Sequence, residues 1–183
     1  MRNYIAFLRG INVGGHNKLK MAELRSSLEV LGLQNVRTYI QSGNVLFESS
    51  NDEDQLAKQI STIVEKDFGI SSPVVLRTAE ELQNLVSDCP FSEKEIAEAD
   101  ASSKGECLHV AMLEEFPSQE EMDKLLSYAN EKEKAVPQGK NIYLLFYDSI
   151  RNSKLGNNLN KLGPAVTVRN WKTINKVVSM TEK

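Results

Sequence analysis

Tryptophan occurs once in this chain, cysteine and histidine twice each, and aromatic residues make up only 7% of it. Each shortage removes a class of function. Cys89 and Cys107 lack C-x-x-C spacing, which excludes a thioredoxin-type pair and a zinc ribbon. Nothing at the N-terminus reads as a secretory segment, so the expectation is two reduced thiols in a cytoplasmic protein. His16 and His109 lie far apart with no clustered ligands, so neither a metal nor a cofactor is expected. No apolar run approaches the ~20 residues of a membrane span, and no membrane association is expected. An excess of positive charge is also missing. The formal net charge is -3 and the pI near 5.5, so no whole-molecule field draws in nucleic acid. Any anion site has to be a local basic patch.

What remains is an ordinary globular composition, 40% apolar and 26% charged over 183 residues, enough for one domain or two small ones. Its centre of organisation is Arg9 to Lys20, R-G-I-N-V-G-G-H-N-K-L-K, with three glycines and a cluster of basic residues. This stretch joins an apolar strand, Tyr4 to Leu8, to a helix whose Met21, Leu24, Leu28 and Leu31 fall at helical spacing before Gly32. Asn35 to Ile40 and Val45 to Phe47 read as strands joined by Ser42-Gly43-Asn44, with the second weaker because Asn44 and Glu48 bracket Leu46. Asn51 with Asp54 opens a helix carrying Leu56, Ile60, Ile63 and Val64, and Pro73 to Leu76 is a closing edge strand.

Thr78 with Glu81, and Ser92 with Glu95, are capping-box patterns that place helices in a connector. The first half's order then returns. Leu108 to Leu113 is a strand, and Ser118 with Glu121 caps a helix. An extended piece near Ala135 meets a turn at Pro137-Gln138-Gly139, and Ile142 to Tyr147 is a strand. Leu155, Leu159 and Leu162 mark a helix ended by Gly163-Pro164. Ala165 to Val168 is a strand, and Trp171, Ile174, Val177 and Val178 stripe a terminal helix. The expected fold is α+β: a split-βαβ (ferredoxin-like) unit over 1–78, a helical connector over 79–105, and a second βαββαβ-like unit with a C-terminal helix over 106–183. In that topology the spatial strand order is 4-1-3-2, and the runs apolar on both faces fall mostly at central positions.

The same topology puts the glycine loop beside the turn after the second strand. The candidate ligand site is therefore Arg9, Gly10, Asn12, Gly14, Gly15, Asn17, Lys18 and Lys20 with Gln41, Ser42 and Asn44, and His16 beside them. Its amide and cationic donors suit a small anionic ligand carrying phosphate or carboxylate. Neither loop holds a carboxylate, so no catalytic base is assigned. Gly10 to Gly15 has P-loop spacing, but His16-Asn17 stands where Lys-Ser/Thr belongs, which rejects nucleotide triphosphate hydrolysis. A second candidate site is Ser153, Lys154, Arg169, Asn170 and Trp171, where the ends of the last two strands of the second unit share an edge, with Asn152 and Asn170 as helix caps. Base stacking by an RNA-recognition module would fall to Phe7 and Phe47, on a chain that is acidic. Two alternatives to anion binding stand beside it: an enzyme on a phosphorylated small molecule, and an interaction protein that pairs through sheet edges.

The runs Y-I-A-F-L-R-G-I-N-V-G-G-H-N-K-L-K-M-A-E-L-R, V-R-T-Y-I-Q-S-G-N-V-L-F, R-N-S-K-L and V-R-N-W-K-T resemble the bacterial family catalogued as domain of unknown function 1697. The resemblance implies a two-part α/β protein with a ferredoxin-like N-terminal part, and implies no established activity, substrate or cofactor. Ser149-Ile150-Arg151-Asn152 departs from the glycine-containing turn that more often precedes the third motif.

Overall fold

The computed structural model describes residues 1–163 and 165–182. Its first half runs β1 (Arg2–Leu8), α1 (Met21–Val30), β2 (Gln34–Tyr39), β3 (Asn44–Ser49), α2 (Glu53–Phe68) and β4 (Val74–Thr78). Helices α3 (Ala79–Ser87) and α4 (Glu93–Ser102) follow. The second half runs β5 (Leu108–Met112), α5 (Gln119–Leu126), β6 (Glu133–Gln138), β7 (Asn141–Phe146), α6 (Lys154–Asn157), β8 (Thr167–Asn170) and α7 (Trp171–Thr181). The strands form two four-stranded sheets, ordered β2-β3-β1-β4 and β6-β7-β5-β8, with every neighbouring pair antiparallel. The fold is α+β, and the first and third strands of each half are central. No described helix is long and apolar enough to cross a membrane.

Period-two alternation builds the first unit. Tyr4, Ala6 and Leu8 of β1 join Val45 and Phe47 of β3 in one cluster with Leu24 and Leu28 of α1 and Leu56, Ile60 and Val64 of α2. Ile5, Phe7, Leu46 and Val75 occupy the other face and are buried as completely. Fully burying each such side chain stabilises the fold by about 1.5–3 kcal/mol. Phe7 and Phe47 are thus core residues, and neither ring is exposed for stacking on a base. The third strand is stronger than its sequence indicates. Asn44 is fully buried because its Nδ2 donates to Tyr39 O (3.1 Å) and Ser42 Oγ (2.9 Å).

Local signals set the helix ends. Leu33 N donates to Leu28 O and Gly32 N to Glu29 O, a Schellman motif with Gly32 at φ 100°. Helix α2 is capped by Asp52, whose carboxylate accepts from Gln55 N (2.9 Å), and not by Asn51. The capping boxes at Thr78/Glu81 and Ser92/Glu95 both form.

The second unit departs from expectation in two places. Pro137 lies inside β6, with the turn at Gly139-Lys140; an edge strand tolerates a residue that cannot donate to the ladder. The expected helix over Leu155, Leu159 and Leu162 is broken into the four-residue α6 and 3-10 turns at Ile150–Asn152 and Leu159–Leu162. Gly156, Asn157 and Asn158 are poor helix formers, and a Cβ on Gly156 would sit 2.8 Å from Ile150 O. Of the expected Gly163-Pro164 stop, Pro164 lies outside the described residues.

The chain divides into two compact units: Met1–Asn84 with the C-terminal residues from Lys176, and Leu85–Asn175. Both boundaries fall inside helices, in α3 and in α7, and not in loops.

Candidate functional site

The stretch from Arg9 to Lys20 folds as a small hairpin pinned to the first unit's core. Ile11 and Leu19 are its buried anchors. Between them Asn12 N donates to Asn17 O (3.1 Å) and His16 N to Val13 O (2.8 Å), closing a turn whose tip is Gly14-Gly15. Both glycines have positive φ, 56° and 79°, the geometry of a turn that a side chain would strain. Arg9 is fixed from the strand side, its N–H donating to Pro73 O (3.1 Å) and its carbonyl accepting from Ser72 Oγ (2.8 Å).

Asn12 binds the loop to the second turn. Its Nδ2 donates to Leu19 O (2.9 Å) and to Gln41 O (2.6 Å), while its Oδ1 accepts from Leu19 N (2.8 Å). Leu8 N adds a bond to Gly43 O (2.9 Å). Gly43 has φ 86°, and a Cβ there would meet Leu8 Cβ at 2.9 Å, so the two turns approach as closely as glycine permits. The glycine loop and the Gln41–Asn44 turn are therefore neighbours in space. The adjacent Ile40 has φ 50°, a rare and strained conformation for a β-branched residue.

This geometry sorts the candidate donors. Asn17 Nδ2 donates to Gly10 O (2.9 Å), and Asn12 and Asn44 are likewise engaged inside the loops. Two of the outward groups are cations, Lys18 and Lys20. His16, Lys18 and Lys20 are exposed, and no ion pair engages Lys18 or Lys20 among the described residues. Lys20 is also the N-cap residue of α1 and makes no side-chain capping bond, whereas Asp52 and Ser118 cap their helices. The start of α1 thus adds N–H dipoles to the loop's positive charge, offset in part by Glu23 in the first turn.

The second candidate set is only partly drawn together. Ser153 is buried and its Oγ accepts from Gly156 N (3.0 Å), so Ser153, not Asn152, caps α6, and Ser149 caps the preceding turn. Lys154 is exposed. Arg169 donates to Val168 O (3.1 Å), and burial pulls its pKa down to about 10. Trp171 is half-buried, with its ring 6.4 Å from that of Tyr143, while Ile174, Val177 and Val178 carry the helix's burial. Asn170 caps α7, accepting from Thr173 N (2.8 Å). It also lines a cleft of about 400 Å³ with Asp148, Arg151, Lys104 and His109. Lys104 and His109 escaped the sequence reading, and Asp148 and Arg151 lie in the segment it places at this edge without being candidate-site residues. The available signal was the position of His109, on the same strand face as Ala111 and Leu113. Among the described residues no group of three or more His, Cys, Asp and Glu side chains could hold a metal.

Against known proteins, residues 1–143 match the family described as "Protein of unknown function (DUF1697)". No match was found among curated proteins. Among solved structures, the chain is similar to the conserved bacterial protein SP0830 from Streptococcus pneumoniae, with 26% identity, a TM-score of 0.77 and 98% of each chain covered. The matched residues include both motifs that build the loop pair, Arg9–Lys20 and Gln41–Asn44, and the chain belongs to the DUF1697 family of proteins of unknown function.

Proposed function

We propose that this protein binds a small anionic ligand, bearing phosphate or carboxylate, through the loop Arg9–Lys20. The observation that carries this reading is the exposed pair Lys18 and Lys20 on a loop that holds no carboxylate and is locked in place by Asn12. Arg9 and the start of α1 add to the same field, which Glu23 in that helix's first turn partly offsets. A locked loop loses little conformational freedom when a ligand arrives, so modest charge suffices for measurable affinity. Neither loop holds a carboxylate to serve as a general base, and the exposed cations support binding of an anion.

Two features weigh against pairing through sheet edges. Edge strand β2 has a register irregularity between Gln34 and Arg37, with Asn35 at φ 49°. Edge strand β6 carries Pro137. Bulges and prolines on edges block strand addition. Free Cys89 and Cys107 accord with a cytoplasmic setting.

Isothermal titration with inorganic phosphate, pyrophosphate and citrate tests the proposal. The expected result is saturable binding that Lys18→Ala/Lys20→Ala weakens by about tenfold or more, equivalent to about 1.4 kcal/mol. Absence of heat with all three anions, or equal affinity in the double variant, would overturn it.

A further inference from the structure

Strand register gives each residue of β1 a counterpart in β5. Leu8 and Leu113 both donate their N–H to a carbonyl of the following hairpin turn, Gly43 O and Lys140 O. Ala6 pairs with Val45 and Leu76, and Ala111 with Ile142 and Val168. Two residues earlier, Tyr4 pairs with Thr78 and His109 with Asn170, and both partners are followed at once by a helix. Tyr4 and His109 therefore hold one position in two copies of one layout.

The two side chains meet different surroundings there. Tyr4 is 2% exposed, stacks on Phe47 with centroids 5.7 Å apart, and donates its hydroxyl to Asn51 O (3.2 Å), two residues beyond β3. His109 is 9% exposed and lies edge-on to Phe146 at 5.8 Å. The residue corresponding to Asn51 is Asp148, two residues beyond β7. The shorter imidazole makes no bond there, and its Nδ1 is buried with no hydrogen-bond partner among the described residues. In place of a filled corner the second unit has the cleft, with His109 in its lining. A buried polar atom without a partner is rare in a folded protein, and the residue that carries it lines a cavity in the volume range of small-molecule sites.

The remaining lining identifies the ligand's chemistry. Lys104 and Arg151 contribute positive charge, and Glu106 and Asp148 negative charge, two groups of each sign around one opening. A ligand of single sign is repelled by one pair as it is drawn by the other, whereas one carrying both signs is matched by both. Burial keeps the imidazole uncharged, with a pKa lowered to about 4, so the ring does not add to this balance. Asn170 and Ser149 supply further polar atoms. From this cavity, the corner that His109 leaves unfilled and its balanced charges, we propose that the second unit binds a small zwitterion of free amino-acid type, seated beside the His109 ring. This site is separate from the Arg9–Lys20 loop and does not depend on it.

With only His16 and His109 in the chain, ring nitrogen NMR signals separate cleanly, and His16→Asn assigns them. The full chain is titrated at neutral pH with pools of the standard free amino acids at up to about 10 mM, which detects millimolar binding. Inorganic phosphate and ethylamine serve as single-sign controls. The expected result is a saturable shift of the His109 signals with at least one pool, and weaker shifts of those signals with both controls. Arg151 is exposed, so Arg151→Ala should keep the fold and lower the affinity about tenfold or more. His109→Tyr, which installs the residue that fills this corner in the first unit, should abolish shifts of the Asp148–Arg151 backbone amides. The proposal fails if no pool moves the His109 signals, which marks a solvent-satisfied histidine. It also fails if phosphate alone moves them as far, or if Arg151→Ala leaves the affinity unchanged.

Discussion

The loop after the first strand occupies the same place in both units and has opposite character. In the first unit it runs over residues 9–20 and carries Arg9, His16, Lys18 and Lys20. In the second it is the shorter stretch 113–118, L-E-E-F-P-S, with Glu114 where register puts Arg9 in the first unit. Each loop rests on the hairpin turn that topology brings beside it. The first does so through Asn12 and the Gln41 carbonyl. The second does so through the exposed ring of Phe116, with Lys140 Nζ 5.6 Å from its centroid. Topology fixes which loops are neighbours, and sequence then decides whether that corner attracts anions or repels them.

The layout is shared further than these loops. Arg77 and Arg169 each close the last strand by donating to the carbonyl of the preceding residue, at 2.8 and 3.1 Å, and burial lowers both pKa values. Thr78 and Asn170 then cap the helices that follow. The comparison between units can be broken or sharpened by experiment. The largest effect should come from the two helix-facing cores. Phe47→Ala and Phe146→Ala each remove a fully buried ring and should each cost about 3–5 kcal/mol in chemical denaturation. A cost confined to one of them would show that the two cores are not equivalent.

Position 4 and its counterpart 109 should differ in acid. His109 has its pKa lowered from 6.5 to about 4 by burial, so the unfolded chain binds this proton first as pH falls. Its stability penalty starts as pH drops through 6.5, grows to about 3 kcal/mol near pH 4, and is absent above 6.5. Urea melts across that window should show His109→Tyr losing less stability in acid than the parent. Identical curves would place the titration elsewhere.

The two loop clamps come next. Asn12→Ala removes the hydrogen bonds to Leu19 and Gln41 and leaves alanine at φ 56°, so a loss of about 2–3 kcal/mol is expected. Phe116→Ala removes a ring that is 71% exposed and should cost under about 1 kcal/mol. Equal losses would mean that the acidic loop is held as firmly as the basic one.

Much of this layout was legible in the residues. The element order implied the 4-1-3-2 strand order, and Tyr4 to Leu8 and Leu108 to Leu113, apolar at nearly every position, fit the central places that order gives them. The meeting of the glycine loop with the Gln41–Asn44 turn came from that order alone. Side-chain roles were less legible. Asn12, Asn17 and Asn44 are the same letters whether they face a ligand or a backbone carbonyl, and only the fold shows that they bind carbonyls. The stretch 150–162 defeated periodicity because its three leucines keep helical spacing while Gly156, Asn157 and Asn158 break the backbone between them. His109 was hidden because one polar residue in an apolar strand is uninformative until its counterpart in the first unit, Tyr4, is known.

The central claim, a basic anion-binding corner in the first unit and none at the matching corner of the second, is tested most directly by backbone amide NMR during titration with inorganic phosphate. The account predicts saturable shifts in residues 9–20 and 41–44, with residues 113–118 unmoved. Shifts of equal size in 113–118, or a silent Arg9–Lys20 loop at saturating phosphate, would contradict it.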